Sequence, residues 1–225
     1  MKIVESTKTR LAGGTRSRIA RRSLPAEIAI HHPHASDSLL AAHFLLGLEH
    51  FALGFDHVLF VVGAFFLARQ RGLRALLAVI TAFTIGHALT LGCATLGWIV
   101  LAPRPVEACI ALSLVHVARE LRLNTETLTR KRPAIVCGLF GLVHGAGFAR
   151  ALGDAGLAGN DLLTGLFSFN VGLEVAQLGL VLLCAAVFRA ENVRRAGPLA
   201  ALVVGGVGAF FFIDRTLALV SSSGP

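Results

Sequence analysis

Charged residues are scarce in this chain of 225 residues. Asp, Glu, Lys and Arg make up only 15% of it, whereas 55% of its residues are hydrophobic. The mean hydropathy of +0.72 excludes a water-soluble domain of this size, because such a domain could not bury so much apolar surface. Several apolar stretches of ~20 residues are long enough to cross a bilayer as helices. The composition therefore predicts an integral membrane protein.

Two patterns that would indicate other functions are also missing. The four cysteines lie in apolar runs without Cys-x-x-Cys spacing, which argues against a disulfide framework or a thiolate metal site. The net charge of +8 is not accompanied by a basic patch interleaved with aromatic residues, so nucleic acid is not an expected partner. The composition predicts that the main partner of the chain is the lipid bilayer.

The apolar runs predict an all-α, polytopic membrane bundle of about six transmembrane helices. Residues 1–37 are polar and basic and are predicted to form a disordered tail, and residues 38–225 a single transmembrane domain. Charged residues interrupt the first apolar region, which indicates a short outer or re-entrant helix before the first span. The predicted spans are Phe55 to Leu67, Leu73 to Val100, Val106 to Leu121, Ala134 to Leu152, Leu162 to Phe188 and Pro198 to Leu219.

Basic residues are concentrated in alternate loops between these spans. The three basic loops lie at 69–74, 119–132 and 189–195. The positive-inside rule predicts that they face the cytoplasm. Both ends of the chain would then face outward, which leaves the side of the basic amino-terminal tail open.

Ionisable side chains inside membrane spans are costly unless they have partners, so each is a candidate functional residue. The first group comprises Glu49, His50, Asp56 and His57. In a continuous helix, His50 and His57 would share one face, and Glu49 and Asp56 would do likewise. Two imidazoles beside a carboxylate can bind a divalent transition metal. A helix-end cap with a buried His–Asp hydrogen bond is the structural alternative.

The second and third spans add three candidates. His87 lies near the middle of the second span, and Thr84 lies one turn before it. A threonine can simply bond to its own helix, so His87 is the stronger signal. Glu107 begins the third span, where helix capping and the helix dipole explain it as well as a site would.

The fourth and fifth spans complete the set. His144 lies among glycines that allow close helix approach. Asn170, Glu174 and Gln177 recur on one face of the fifth span, which makes that face polar at membrane depth.

Alternate threading of the spans places most of these side chains in the outer half or near the midplane of the bilayer. We therefore predict a shared metal or proton site. The predicted metal ligands are His50, Asp56, His57, His87, His144 and Glu174, and the predicted supporting residues are Glu49, Thr84, Glu107 and Asn170.

Five ordered motifs between residues 43 and 180 resemble those of the HupE/UreJ family, membrane proteins associated with hydrogenase and urease maturation. They are His-x5-Asp-His-x-Leu-Phe, Thr-Ala-Phe-Thr-x2-His-x-Leu-Thr-Leu, Val-Glu-x3-Ala-Leu-Ser, Phe-Gly-Leu-x-His-Gly-x-Gly-Phe-Ala and Phe-Asn-x-Gly-x-Glu. The better-studied branch of the family consists of nickel permeases, so the resemblance implies divalent-metal passage with His50, Asp56, His57 and His144 as ligand candidates. The bacterial inner membrane is the expected location. The nickel-permease branch has a second His and a following Glu where this chain has Phe140 and Gly147.

The leading hypothesis is a transporter or metal-binding membrane protein for a divalent ion, with nickel first and cobalt or a similar ion next. Because neutral imidazole is the ligand, uptake is expected to fall below about pH 6. One alternative is a zinc-dependent intramembrane hydrolase with His57, His87 and His144 as ligands and Asp56 or Glu174 as general base. Another is an accessory protein that delivers metal to metalloenzyme-maturation proteins without transporting it.

Overall fold

The computed structural model describes residues 33–123, 125–154, 162–188 and 190–221. Within these residues the chain forms helices and no strand, which confirms the predicted all-α class. The predicted tail lies outside the described residues as far as residue 32. The helices are α1 (Pro33–Leu53), α2 (Phe55–Ala68), α3 (Leu73–Thr95), α4 (Pro103–Arg122), α5 (Leu128–Lys131), α6 (Pro133–Asp154), α7 (Leu162–Val187) and α8 (Ala190–Ser221).

Each predicted span coincides with one of the long helices, although some ends differ. The second predicted span, which is α3, ends at Thr95 rather than Val100, because Gly97 turns the chain with a φ of 75°. The last helix begins at Ala190, eight residues before Pro198, which it contains. A proline inside a helix removes one backbone hydrogen bond but does not end this helix.

Length and composition identify fewer membrane spans than the six predicted. Among the described residues, α3, α7 and the part of α8 from Asn192 are long and apolar enough to cross a membrane. The bent pair formed by α1 and α2 makes a fourth if it counts as one span. The apolar part of α6 is short, Pro133–Phe148, and α4 carries charged residues near both ends. That α4 and α6 also cross the bilayer stays a prediction.

The long helices form three closely packed pairs, α1 with α7, α3 with α6, and α4 with α8. The helix α2 touches members of all three pairs. Its residues Phe60, Val61, Ala64 and Phe65 are almost completely buried. An apolar helix enclosed in this way needs no polar face, and α2 thus forms the centre of the bundle.

Glycines allow the backbones of each pair to approach one another. A Cβ atom added at Gly172 in α7 would lie 2.1 Å from the carbonyl oxygen of Phe44 in α1. At Gly145 in α6 it would lie 2.2 Å from the carbonyl oxygen of His87 in α3. Gly208 gives α8 a similar close contact with α4. The glycine-rich segments therefore set the positions of the helices that carry the candidate ligands.

The basic loops meet at one end of the bundle, which we call the basic end. Arg71, Arg122 and Arg194, one from each predicted cytoplasmic loop, line a common cavity there. The ends of α4 and α8 that carry Glu107 and Arg215 lie at the opposite end. The structure thus brings together the loops that the charge pattern assigned to one side.

Candidate metal centre

The break between α1 and α2 brings the first two histidines together. The two helices are bent by 75° at Gly54, which has φ −80° and ψ 84°. In one straight helix, the seven-residue spacing would separate His50 and His57 by about 10 Å along the axis. Across the break their ring centroids are 4.7 Å apart. His50 and His57 therefore meet across a bend, whereas the sequence predicted that they share one face of a continuous helix.

Gly54 is required at this bend because a side chain would have no room. A Cβ atom there would lie 2.8 Å from the carbonyl oxygen of His50 and 2.8 Å from Nδ1 of His57. Both distances are shorter than a carbon atom normally tolerates. The glycine therefore allows the two histidines to meet.

Three imidazoles from three helices converge at this point. Ligand nitrogens of His50, His57 and His87 all lie within 4.8 Å of one another. The Nε2 atom of each ring is buried and has no hydrogen-bond partner among the described residues. A metal ion at ~2 Å from each nitrogen would need them within ~4 Å of each other. Small ring rotations would therefore close the set around an ion.

Asn170 orients the ring of His87. Its Nδ2 atom donates to the carbonyl oxygen of Leu166 over 2.8 Å, so its Oδ1 atom accepts a hydrogen bond from Nδ1–H of His87 over 3.2 Å. The proton on Nδ1 leaves a lone pair on Nε2, which faces the cluster. A partner of this kind fixes both the tautomer and the orientation of a ligand histidine.

Ser113 of α4 does the same for His144. The Ser113 hydroxyl donates to the carbonyl oxygen of Ile110 over 2.6 Å and therefore accepts from Nε2–H of His144 over 3.0 Å. The Nδ1 atom of His144 is then the free lone pair, buried and without a hydrogen-bond partner in the described residues. The ring lies 4.8 Å from that of His57, which makes it a fourth imidazole at the edge of the cluster.

Phenyl rings surround the cluster and keep its polar groups out of contact with bulk water. Phe148 lies 3.9 Å from His50 between ring centroids, and Phe169 stacks on Phe148. On the other side, Phe83 lies 5.0 Å from His144 and 6.0 Å from His57. In such apolar surroundings an unpartnered nitrogen is costly, so the four buried nitrogens without a partner among the described residues favour a bound cation.

Asp56 adjoins the cluster on the side that faces away from the basic end. Its Oδ2 atom accepts a hydrogen bond from Arg215 of α8 over 2.7 Å, and Arg215 also donates to the carbonyl oxygen of Glu107 over 2.9 Å. The Oδ1 atom of Asp56 is buried and has no hydrogen-bond partner among the described residues. One carboxylate oxygen thus stays open to a further partner.

Glu174 lies on the other side of the cluster, towards the basic end. The hydroxyl of Thr81 donates to its Oε1 atom over 2.7 Å, and the hydroxyl of Thr84 donates to its Oε2 atom. Gln177 is a further neighbour of Thr84, at 3.3 Å. Thr84 is one turn from His87, so these side chains continue the polar surface from the cluster along α3 and α7.

Two predicted supporting residues are placed differently. Glu49 is exposed and lies beside the cluster rather than in it, because neighbouring residues on a helix point ~100° apart. The carboxylate of Glu107 is exposed as well, and only its backbone carbonyl reaches the site, through Arg215. That their carboxylates support the site stays a prediction.

A family model described as HupE / UreJ protein matches residues 27–215 of the chain, which is most of its length. The chain belongs to the HupE/UreJ family. Comparison with curated proteins and with solved structures gave no significant match. The family suggests an accessory or permease-like membrane protein concerned with nickel or cobalt.

The sequence of this HupE/UreJ protein did not reveal two residues that contact the site. Ser113 ends the motif Val-Glu-x3-Ala-Leu-Ser, but its contact with His144 is visible only in the fold. Arg215 lies near the end of an apolar run, and its charge there was a signal of an acidic partner. The structure identifies that partner as Asp56.

Proposed function

We propose that the protein binds a divalent transition metal at the histidine cluster and carries it through the membrane, with nickel the first ion to test and cobalt the next. The supporting observation is the group of three imidazole nitrogens from α1, α2 and α3 within 4.8 Å of one another. All three rings have a buried nitrogen without a partner in the described residues. Because buried polar groups normally have partners, such a set supports a bound cation rather than a packing arrangement.

The kind of ligand limits the kind of ion. Imidazole suits nickel, copper, zinc and iron, and the carboxylate of Asp56 would add an oxygen ligand. Alkali and alkaline-earth ions prefer oxygen alone. Because the affinity order does not choose among the remaining ions, the family supplies the preference for nickel or cobalt.

Polar groups on both sides of the cluster define a route. An ion from the opposite end would first meet Asp56, beside His57. It would then bind between the imidazoles and leave past Glu174, whose carboxylate is held by Thr81 and Thr84. Each step exchanges one set of nitrogen or oxygen ligands for the next, so the ion would never be left without ligands in an apolar medium.

A zinc hydrolase is the alternative that one observation favours. The Oδ1 atom of Asp56 has no hydrogen-bond partner within the described ranges, and Asp56 adjoins His57, as a general base would. The second carboxylate, that of Glu174, is occupied by two threonine hydroxyls. A non-transporting accessory protein would use the same cluster and pass the ion to maturation proteins.

Metal binding by the full-length protein in detergent tests the first step. We expect about one Ni²⁺ per chain by equilibrium dialysis, removable by a chelator, and loss of binding in the His57→Ala/His87→Ala double variant. His116→Ala is the matched control, because His116 bonds to Thr129 over 2.9 Å outside the cluster. Binding that survives the double variant would disprove the site.

Transport needs a separate measurement in proteoliposomes. Uptake of radioactive Ni²⁺ that depends on His57 and His87 would support a transporter. Binding without uptake would favour the accessory role. Zinc that stays bound through chelator washing, together with hydrolysis of a peptide or ester substrate, would favour the enzyme, because a catalytic zinc is retained whereas a transported ion must leave.

A further inference from the structure

A cavity of about 630 Å³ opens at the basic end between α2, α4 and α8, far from the histidine cluster. Four arginines line it: Arg71, Arg122, Arg130 and Arg194. They come from all three basic loops, so the fold itself collects their charges around one space. No acidic residue lines the cavity within the described part of the chain.

Few protein groups in the described part of the chain bind these guanidinium groups. Among the described residues none of the four forms an ion pair. Arg194 donates to Oε1 of Gln70 over 3.4 Å, and Arg130 donates to the carbonyl oxygen of Glu120 over 2.6 Å. The Nε atom of Arg130 is buried and has no partner in the described residues. Four like charges around one cavity favour an anion bound among them.

A second cavity, of about 610 Å³, adjoins the first and shares Arg122 and Pro198 with it. It extends along α8 past Leu202 to Gly205 and Gly206, a distance of ~12 Å at 1.5 Å per residue. Apart from Arg122, its lining is apolar. Leu202 is 71% exposed on the outer surface of the bundle. This second cavity is therefore a groove that faces the hydrocarbon of the bilayer. The end of the groove at Arg122 and Pro198 adjoins the arginine cavity.

We propose that these two cavities bind one phospholipid with an anionic headgroup from the leaflet at the basic end. The phosphate lies among the arginines, and an acyl chain lies in the groove along α8. Basic cavities between membrane helices are typical sites for such headgroups. The apolar groove is what favours a lipid over free phosphate, because an inorganic anion would leave the groove unused.

Glycine 206 offers a way to block the acyl chain without disturbing the protein. A Cβ atom at Gly206 meets nothing within 4 Å, so a larger side chain would extend into the groove rather than into a neighbouring helix. Gly179 in α7 is equally open and lies outside both cavities. Gly206→Leu and Gly179→Leu are therefore a matched pair.

Native mass spectrometry of the full-length protein, with phosphatidylglycerol and phosphatidylcholine added in detergent, tests the proposal. We expect one tightly held phosphatidylglycerol and no comparable retention of phosphatidylcholine. The Arg122→Gln/Arg194→Gln double variant should lower its affinity at least ~tenfold. The Arg74→Gln/Arg195→Gln control removes the same charge from the same end outside the cavities and should bind as the unaltered protein does.

The second pair of variants separates a lipid from a free anion. Gly206→Leu should weaken phosphatidylglycerol binding while the thermal transition is unchanged, and Gly179→Leu should leave both unchanged. Equal retention of the two lipids, or equal loss in both arginine double variants, would overturn the proposal. So would binding of inorganic phosphate that prevents lipid binding and is insensitive to Gly206→Leu, because the occupant would then be a free anion.

Discussion

Arg215 in α8 donates a hydrogen bond to Oδ2 of Asp56 in α2 over 2.7 Å, joining residues 159 positions apart in the chain. The guanidinium also lies over the ring of Phe211, 5.0 Å from its centroid. Because Asp56 precedes His57, this ion pair places a fixed positive charge next to the imidazole cluster. A metal ion at the open Oδ1 atom of Asp56 must therefore compete with the positive charge that Arg215 places on Oδ2.

Replacing Arg215 is expected to strengthen metal binding and weaken the fold. Arg215→Gln should raise the affinity for Ni²⁺ several-fold, because Asp56 becomes free to attract the ion. It should also cost on the order of 1–2 kcal/mol of stability, since the pair is only partly buried, with side-chain exposures of 20% and 18%. Calorimetric titration with Ni²⁺ and thermal unfolding in detergent measure the two effects.

Arg104→Gln is the control for this variant. Arg104 lies at the same end and donates to the carbonyl oxygen of Ala218 over 3.5 Å, without an acidic partner among the described residues. Its loss should change neither quantity much. Weaker Ni²⁺ binding in Arg215→Gln would mean that the guanidinium supports the site rather than competing for it.

Asn170 is expected to control metal affinity without touching the ion. Asn170→Leu removes the acceptor that holds Nδ1–H of His87, so the ring can rotate or change tautomer. Loss of such a partner typically costs 10–100-fold in affinity, and equilibrium dialysis with Ni²⁺ would measure it. Ser168→Ala, on the same helix but bonded to the carbonyl oxygen of Leu40, should bind normally. An Asn170→Leu variant with unchanged affinity would argue against this role.

The bend at Gly54 is expected to be essential for the site. Gly54→Ala places a Cβ atom 2.8 Å from His57 and 2.8 Å from the backbone of His50, so one of the rings must move. We expect Ni²⁺ affinity to fall at least ~tenfold with little change in helix content by circular dichroism. Gly92→Ala, where nothing lies within 4 Å, is the control. Normal binding by Gly54→Ala would mean that the rings need not be held together by the bend.

Close backbone contact between α3 and α6 is expected to support both stability and the site. Gly145→Ala would place a Cβ atom 2.2 Å from the carbonyl oxygen of His87, where only a backbone shift relieves the clash. The expected cost in stability is on the order of 1–3 kcal/mol, visible as a lower Tm in detergent, and Ni²⁺ binding should be reduced. Gly179→Ala, an open position, should unfold at the original temperature. An equal Tm in both variants would contradict the tight contact.

The sequence was sufficient to predict the helices and the histidines, but not how the histidines meet. Apolar run length predicted six of the seven long helices among the described residues, and predicted α1 only as a short outer or re-entrant helix. Run length is informative because membrane helices must satisfy their backbone hydrogen bonds internally. The same pattern could not reveal the 75° bend at Gly54. Glycine is tolerated within membrane helices, so its presence alone did not distinguish a break from a continuous span.

Partners that are distant in the chain were the other limit. His87 and Asn170 were both singled out from the sequence, but their hydrogen bond depends on the packing of α3 against α7. Ser113 ends the motif Val-Glu-x3-Ala-Leu-Ser but was not predicted to be a site residue, and Arg215 belongs to none of the five motifs. Their roles follow from helix pairing, which residue periodicity does not specify.

The glycine contacts divide the bundle into mechanical parts. Where two backbones are already in contact, as at Gly145 and Gly172, the helices of a pair cannot slide or tilt without a steric clash. Each pair therefore behaves as a rigid body. The contacts between α2 and the three helix pairs consist of side chains, whose rotamers can adjust. Any rearrangement that admits or releases an ion is therefore confined to the contacts with α2. The three helix pairs would move as rigid bodies relative to this central helix.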